Sequence, residues 1–185
     1  MLFTSDIGLS YGGLEAFKSL LDGKGEYFYD APPEQSISTE GSYEATFRTT
    51  KGDIVVNLLP VSAPTLVNNF IFLAREGWYD GSTFFYVQDD FVAVSGDPTN
   101  TTIGYPGYYC QGEEQGVFDR AGLVGMLASG QFFFSLGSGA SNLDGQVALI
   151  GQVTEGLDVL DQITRRQIDD TSAADAIESV TITEK

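Results

Sequence analysis

From residue 43 the chain alternates with period two. Tyr43, Ala45 and Phe47 fall on one side and Glu44, Thr46 and Arg48 on the other, as in a half-buried strand. Thr50-Lys51-Gly52-Asp53 is a turn signal, and Ile54 to Leu59 forms a second strand ended by Pro60, so the two predict a hairpin. The period then becomes helical: Leu66, Val67, Phe70, Ile71, Leu73 and Ala74 share a face. Ser62 is the expected N-cap, Pro64 suits the first turn and Gly77 ends the helix. Tyr79-Asp80-Gly81-Ser82 predicts a turn, followed by two short apolar strands, Thr83 to Val87 and Phe91 to Val94, broken by Asp89-Asp90. Residues 97–118, rich in Gly, Pro, Asn and Thr, read as a long loop that binds or covers something. Strands return at Gly122 to Leu127, Gln131 to Ser135 and Val147 to Val153; Glu155 to Thr164 reads as a second helix and Ala176 to Thr183 as a closing strand. The pattern predicts a mainly β fold, a closed barrel capped by two α-helices.

Residues 1–42 read as an N-terminal extension to a domain spanning 43–185. Leu14, Phe17, Leu20 and Leu21 share a helical face, Asp22-Gly23 stops it, and the aromatic run Tyr27-Phe28-Tyr29 leads into a linker with Pro32-Pro33. A helix this short is marginal alone and is expected to dock on the main domain.

The composition narrows the function classes. With 42% apolar and 12% aromatic residues in 185, the chain can bury a core. A net charge of −17 opposes phosphate backbones, so no nucleic-acid partner is expected. The sequence holds no histidine and one cysteine, Cys110, which excludes an intrachain disulfide, a His/Cys zinc site and catalysis by imidazole. Gly8-Leu9-Ser10-Tyr11-Gly12 matches a nucleophile elbow, but without a histidine it is a coincidence. Asp89-Asp90, Glu113-Glu114 and Asp169-Asp170 lack an EF-hand frame and read as solvated loops, so no metal and no cofactor are expected. Asn100-Thr101-Thr102 fits a glycosylation sequon by chance, Gly137-Ser138-Gly139 reads as a turn, and Cys110 as an unreactive thiol. No secretory signal or membrane span is expected, and the chain reads as soluble. Oligomeric state is left open.

Specific runs carry a resemblance. Ala63-Pro64-Thr65-Leu66-Val67-Asn68-Asn69-Phe70 continues through Leu73-Ala74-Arg75-Glu76-Gly77-Trp78-Tyr79-Asp80-Gly81. Gly96-Asp97-Pro98, Pro106-Gly107-Tyr108, Gln131-Phe132-Phe133, Leu143-Asp144-Gly145 and Gly151-Gln152-Val153 follow in order. Over residues 43–184, apart from one deletion, the chain resembles the cyclophilin family of peptidyl-prolyl cis-trans isomerases. The resemblance implies an eight-stranded antiparallel barrel with two capping helices, and proline-containing polypeptide segments as partners in protein folding. The implied chemistry is rotation about an X–Pro bond against a barrier of about 18–20 kcal/mol. An apolar pocket grips the proline ring, and in the family an arginine donates to the prolyl nitrogen.

The resemblance also locates departures. The family's Phe-His-Arg-Val is Phe84-Phe85-Tyr86-Val87 here, which puts Tyr86 at the arginine position. Phe91 is kept, Val92 replaces a methionine, and Val94 a glutamine. Met126-Leu127-Ala128 stands for Met-Ala-Asn, and a short stretch before Gln131 is missing. Gln131, Phe133 and Leu143 match, whereas Asn142 replaces the usual aromatic and Val147 a histidine. The implied site is therefore Tyr86 and Gln131 as catalytic positions, with Phe91, Val92, Val94, Phe133, Asn142, Leu143 and Val147 binding substrate. Tyr86 has two readings, a neutral stand-in donor or a ring packed over the pocket; its short, stiff, uncharged side chain favours the second. Two functions remain open: a weak isomerase, or a non-catalytic proline-peptide binding or scaffold module.

Overall fold

The computed structural model describes residues 28–113 and 115–185, so the expected helix at Leu14 to Leu21 and the Gly8 to Gly12 run lie outside the described residues. Eight strands form one antiparallel sheet: β1 (Tyr43–Thr49), β2 (Gly52–Leu58), β3 (Tyr86–Val87), β4 (Val92–Ser95), β5 (Leu123–Met126), β6 (Phe132–Ser135), β7 (Ala148–Glu155) and β8 (Ile177–Glu184). Their order across the sheet is β3-β4-β6-β5-β7-β2-β1-β8. The expected closure is only partial. No ladder joins β8 to β3; instead the Thr83–Ala176 bridge and the Phe84 N–H to Asp175 carbonyl bond (2.9 Å) tie their leading segments together. The strand expected from Thr83 is thus shortened to Tyr86–Val87, because the Phe84 N–H bonds across this closure and the Thr83 N–H is taken by the Asn100 side-chain oxygen at 2.8 Å.

Helix α1 (Pro64–Arg75) buries Leu66, Val67, Phe70, Ile71, Leu73 and Ala74, the face expected from the spacing. Its N-terminus differs from expectation. Ala63 is the N-cap and makes no side-chain bond; Glu113, on the long loop, accepts from the N–H groups of Thr65 (3.2 Å) and Leu66 (3.4 Å). An acidic group from afar thereby satisfies orphan donors that Ser62 leaves free. Helix α2 (Leu157–Gln162) is shorter than its apolar pattern and starts at Gly156, φ +87°. Glycine is required there because a Cβ would lie 2.4 Å from the Asp53 carbonyl oxygen.

The core centres on Phe47, whose ring lies 5.9, 5.4 and 5.2 Å from those of Phe70, Phe132 and Phe134. The described part of the extension packs on this body. Asn68 of α1 accepts from Ser36 and Ile37 and donates to the Glu34 carbonyl, Ile37 is buried, and Tyr29 stands edge-on to Phe72 at 4.9 Å. Among the described residues no helix is long and apolar enough to cross a membrane.

Asp175 reinforces the closure with its side chain, accepting from the Thr164 N–H (2.7 Å) and the Thr50 hydroxyl (3.1 Å), with Lys51 at 3.6 Å. Burial opposes its charge, but these bonds and Lys51 outweigh it and hold the carboxyl below its ordinary value of 3.8. A carboxyl with a lowered folded pKa contributes stability above its unfolded value and loses it as pH falls through the folded one. Asp175→Asn should therefore cost about 1–2 kcal/mol at pH 7. In denaturant titrations that deficit should shrink as the pH falls below 3.8; a deficit constant with pH would refute this assignment.

Candidate functional site

Strand registers assemble the site on the outer face of the sheet. Tyr86 pairs with Val94, Val94 with Phe133, Phe133 with Gly125 and Gly125 with Leu149, one row running across β3, β4, β6, β5 and β7. Alternation puts the next row, Val87, Ala93, Phe134 and Val124, into the core. The outward row joins a second apolar cluster containing Val92, Phe118, Leu123, Phe133, Ala140 and Val147, with Tyr86, Phe91, Val94, Leu127, Leu143 and Leu149 partly buried against it. Of the nine sequence-implied positions, Tyr86, Phe91, Val92, Val94, Phe133, Leu143 and Val147 thus come together. Phe91, Tyr86, Val94 and Leu143 form its partly exposed layer; Val92, Phe133 and Val147 lie beneath at 3%, 3% and 7% exposure.

Gln131 and Asn142 take other positions. Gln131 is buried, and its amide nitrogen donates to the carbonyls of Thr102 and Gly104, both at 3.1 Å, pinning the long loop. The same loop is tied by the fully buried Asp97, whose carboxylate accepts from the N–H groups of Thr99, Thr101 and Gly104. Asn142 is exposed on a 3-10 turn (Ser138–Leu143) and lines a depression of about 230 Å³ with Gln88, Asp89, Asp90, Phe91 and Gly139.

Among the described residues no arginine or lysine lines the depression itself. The Tyr86 hydroxyl donates to the Gln88 side-chain oxygen, and carboxylates stand at the depression. Arg48 pairs with Asp53, Arg75 with Glu184 and Arg120 with Asp119; Arg165 pairs with Asp89 at 2.6 Å, and Arg166 donates to the carbonyls of Asp170 and Ser172. Arg165 and Arg166 line an adjoining cavity of about 460 Å³ that shares Gln88 and Asp89 with the depression. Among the described residues no cluster of three or more His, Cys, Asp or Glu side chains is placed to hold a metal ion. Cys110, on the long loop, is buried, and desolvation, helped by Glu113, pushes its thiol up, away from a reactive thiolate. Burial likewise drives the nearby Tyr108 phenol well above its ordinary value, so that it stays a donor, to the Asn69 side-chain oxygen at 2.6 Å.

The family model described as "Cyclophilin type peptidyl-prolyl cis-trans isomerase/CLD" matches residues 45–184. The chain belongs to the cyclophilin family. A peptidyl-prolyl cis-trans isomerase of Helicobacter pylori is 37% identical over 134 residues, covering 67% of this chain and 82% of its relative. The Arabidopsis thaliana isomerase CYP59 is 33% identical over 139 residues, and there the chain spans only 28% of the relative's length. A solved cyclophilin-type isomerase of Cryptosporidium parvum, crystallised in the presence of the dipeptide Ala-Pro, superposes with a TM-score of 0.69 at 24% identity, covering 76% of this chain and 98% of that one. At that identity the likeness concerns the fold.

Three outer-face residues of this cyclophilin escaped the sequence reading. Phe118, assigned to a loop, is fully buried with its ring 5.0 Å from that of Phe133. Gly125 lets both rings approach: a Cβ there would meet Phe133 at 2.3 Å and Phe118 at 3.0 Å. Leu149 completes the row. Only the Gly125 position carried a signal, a glycine inside a strand. Gly125→Ala must displace both rings, so a loss of about 1–3 kcal/mol is expected in chemical denaturation. Unchanged stability would show that the rings do not depend on this gap.

Proposed function

We propose that this chain is a peptidyl-prolyl isomerase domain acting on X–Pro segments in protein folding, with activity well below that of a cyclophilin that keeps its arginine. The outer-face cluster is the binding surface, with Phe91, Val94 and Leu143 receiving the proline ring over the layer of Val92, Phe133 and Val147. The observation that carries the reading is that Tyr86, which the resemblance aligns with the family's arginine, stands in the apolar row and supplies a phenol. A charge-assisted hydrogen bond is about twice as strong as a neutral one, so losing the guanidinium weakens the rotation step more than it weakens binding. The crystallisation of the Cryptosporidium parvum relative in the presence of the dipeptide Ala-Pro supports the ligand class. A purely binding role is the second reading, favoured by the Asp90 carboxylate at the depression, which disfavours electron density building up on a prolyl nitrogen.

The deciding experiment is a prolyl exchange assay by NMR on an Ala-Pro peptide. The wild-type chain should accelerate exchange weakly, and Tyr86→Arg should raise kcat/KM by about tenfold or more, the worth of one charged over one neutral bond. Wild-type turnover matching that of an arginine-bearing cyclophilin would refute weak activity; a rate equal to the uncatalysed one would leave the binding role.

A further inference from the structure

Resting on that isomerase reading, we propose that the donor to the prolyl amide is the Gln88 side-chain nitrogen, with Tyr86 as its positioning residue. Tyr86 and Gln88 lie two residues apart in the chain leading through β3, so their side chains emerge on the same face. The Tyr86 hydroxyl donates to the Gln88 side-chain oxygen, which commits the phenol's single proton and fixes which end of the carboxamide is occupied. The free end is the NH2 group. A donor bonded to the carbonyl oxygen also polarises the amide, so its N–H groups become better donors.

Placement follows from the turn. The Phe91 N–H bonds to the Gln88 carbonyl (3.2 Å) and the Gln88 N–H to the Val92 carbonyl (2.9 Å), so Gln88 and Phe91 are the first and last residues of one tight turn. Both line the same depression. A proline ring resting on Phe91 therefore presents its amide to the Gln88 NH2 group. The step makes and breaks no covalent bond: the amide twists, its nitrogen becomes pyramidal, and the Gln88 N–H bonds the exposed lone pair before the planar amide reforms. The donor is neutral, in keeping with weak turnover. Of the site's two other carboxamides, Gln131 has its nitrogen occupied by the carbonyls of Thr102 and Gly104, and Asn142 stands on the 3-10 turn that lines the depression opposite the Gln88 turn.

The test is kcat and KM for an Ala-Pro peptide from exchange NMR on the full chain and on Gln88→Leu, Gln88→Glu, Tyr86→Phe and the Gln88→Leu/Tyr86→Phe double variant. Gln88 is exposed, so its variants should fold. Gln88→Leu and Gln88→Glu, which both lack the donor, should each lower kcat about five- to tenfold, the worth of one neutral hydrogen bond, with KM within about twofold. Tyr86→Phe should lower kcat by less, and the double variant should fall no further than Gln88→Leu alone, a non-additivity that separate structural roles would not produce. Wild-type kcat in Gln88→Leu, or losses that simply add in the double variant, overturns the proposal alone. A wild-type chain that leaves exchange at its uncatalysed rate overturns the isomerase reading and this proposal with it.

Discussion

The outward row from Tyr86 through Val94, Phe133 and Gly125 to Leu149 depends on strand register, and the rest of the candidate site depends on that row. Side chains alternate across a sheet, so a one-residue slip in β4 or β6 would turn Val94 and Phe133 inward and Ala93 and Phe134 out. Phe134 resists such a slip, because it packs against Phe47 in the core at 5.2 Å. The same three-phenylalanine run, Phe132 to Phe134, therefore serves both faces: its outer members hold the core, and its middle member supports the surface.

That surface combines apolar material with an unusual polar complement. In an acidic chain with few cations, the arginines are spent on ion pairs and on chain carbonyls, and the outer-face depression is lined by Asp89 and Asp90. What remains to address a polar amide is a phenol bonded to a carboxamide. The long loop is secured by Asp97, Gln131 and the Glu113 cap on α1. Fold and surface are thus maintained by separate sets of polar groups.

Much of the fold was legible because its signals are local. Tyr43, Ala45 and Phe47 alternate in burial as they alternate in sequence, and the apolar face of α1 follows its spacing. Seven of the nine positions that the family runs implied lie together in one cluster. The failures share a cause, that the deciding partner is distant in sequence. Glu113 caps a helix that Ser62 adjoins, Phe84 bonds across the sheet opening instead of extending β3, and Phe118 leaves its loop to lie on Phe133. No window of neighbouring residues contains that information. Gln88 was hidden differently: it sits beside two aspartates in a turn, and only the Tyr86 hydroxyl bond singles it out.

The central claim is that the outer apolar row is where a proline-bearing segment binds. Chemical-shift mapping with an isotope-labelled chain and an Ala-Pro peptide tests it most directly. The account predicts saturable shifts concentrated at Tyr86, Gln88, Phe91, Val94 and Leu143, with Phe133 responding beneath them. Shifts centred instead on residues 97–113 or on β1 and β8, or none at millimolar peptide, would contradict it.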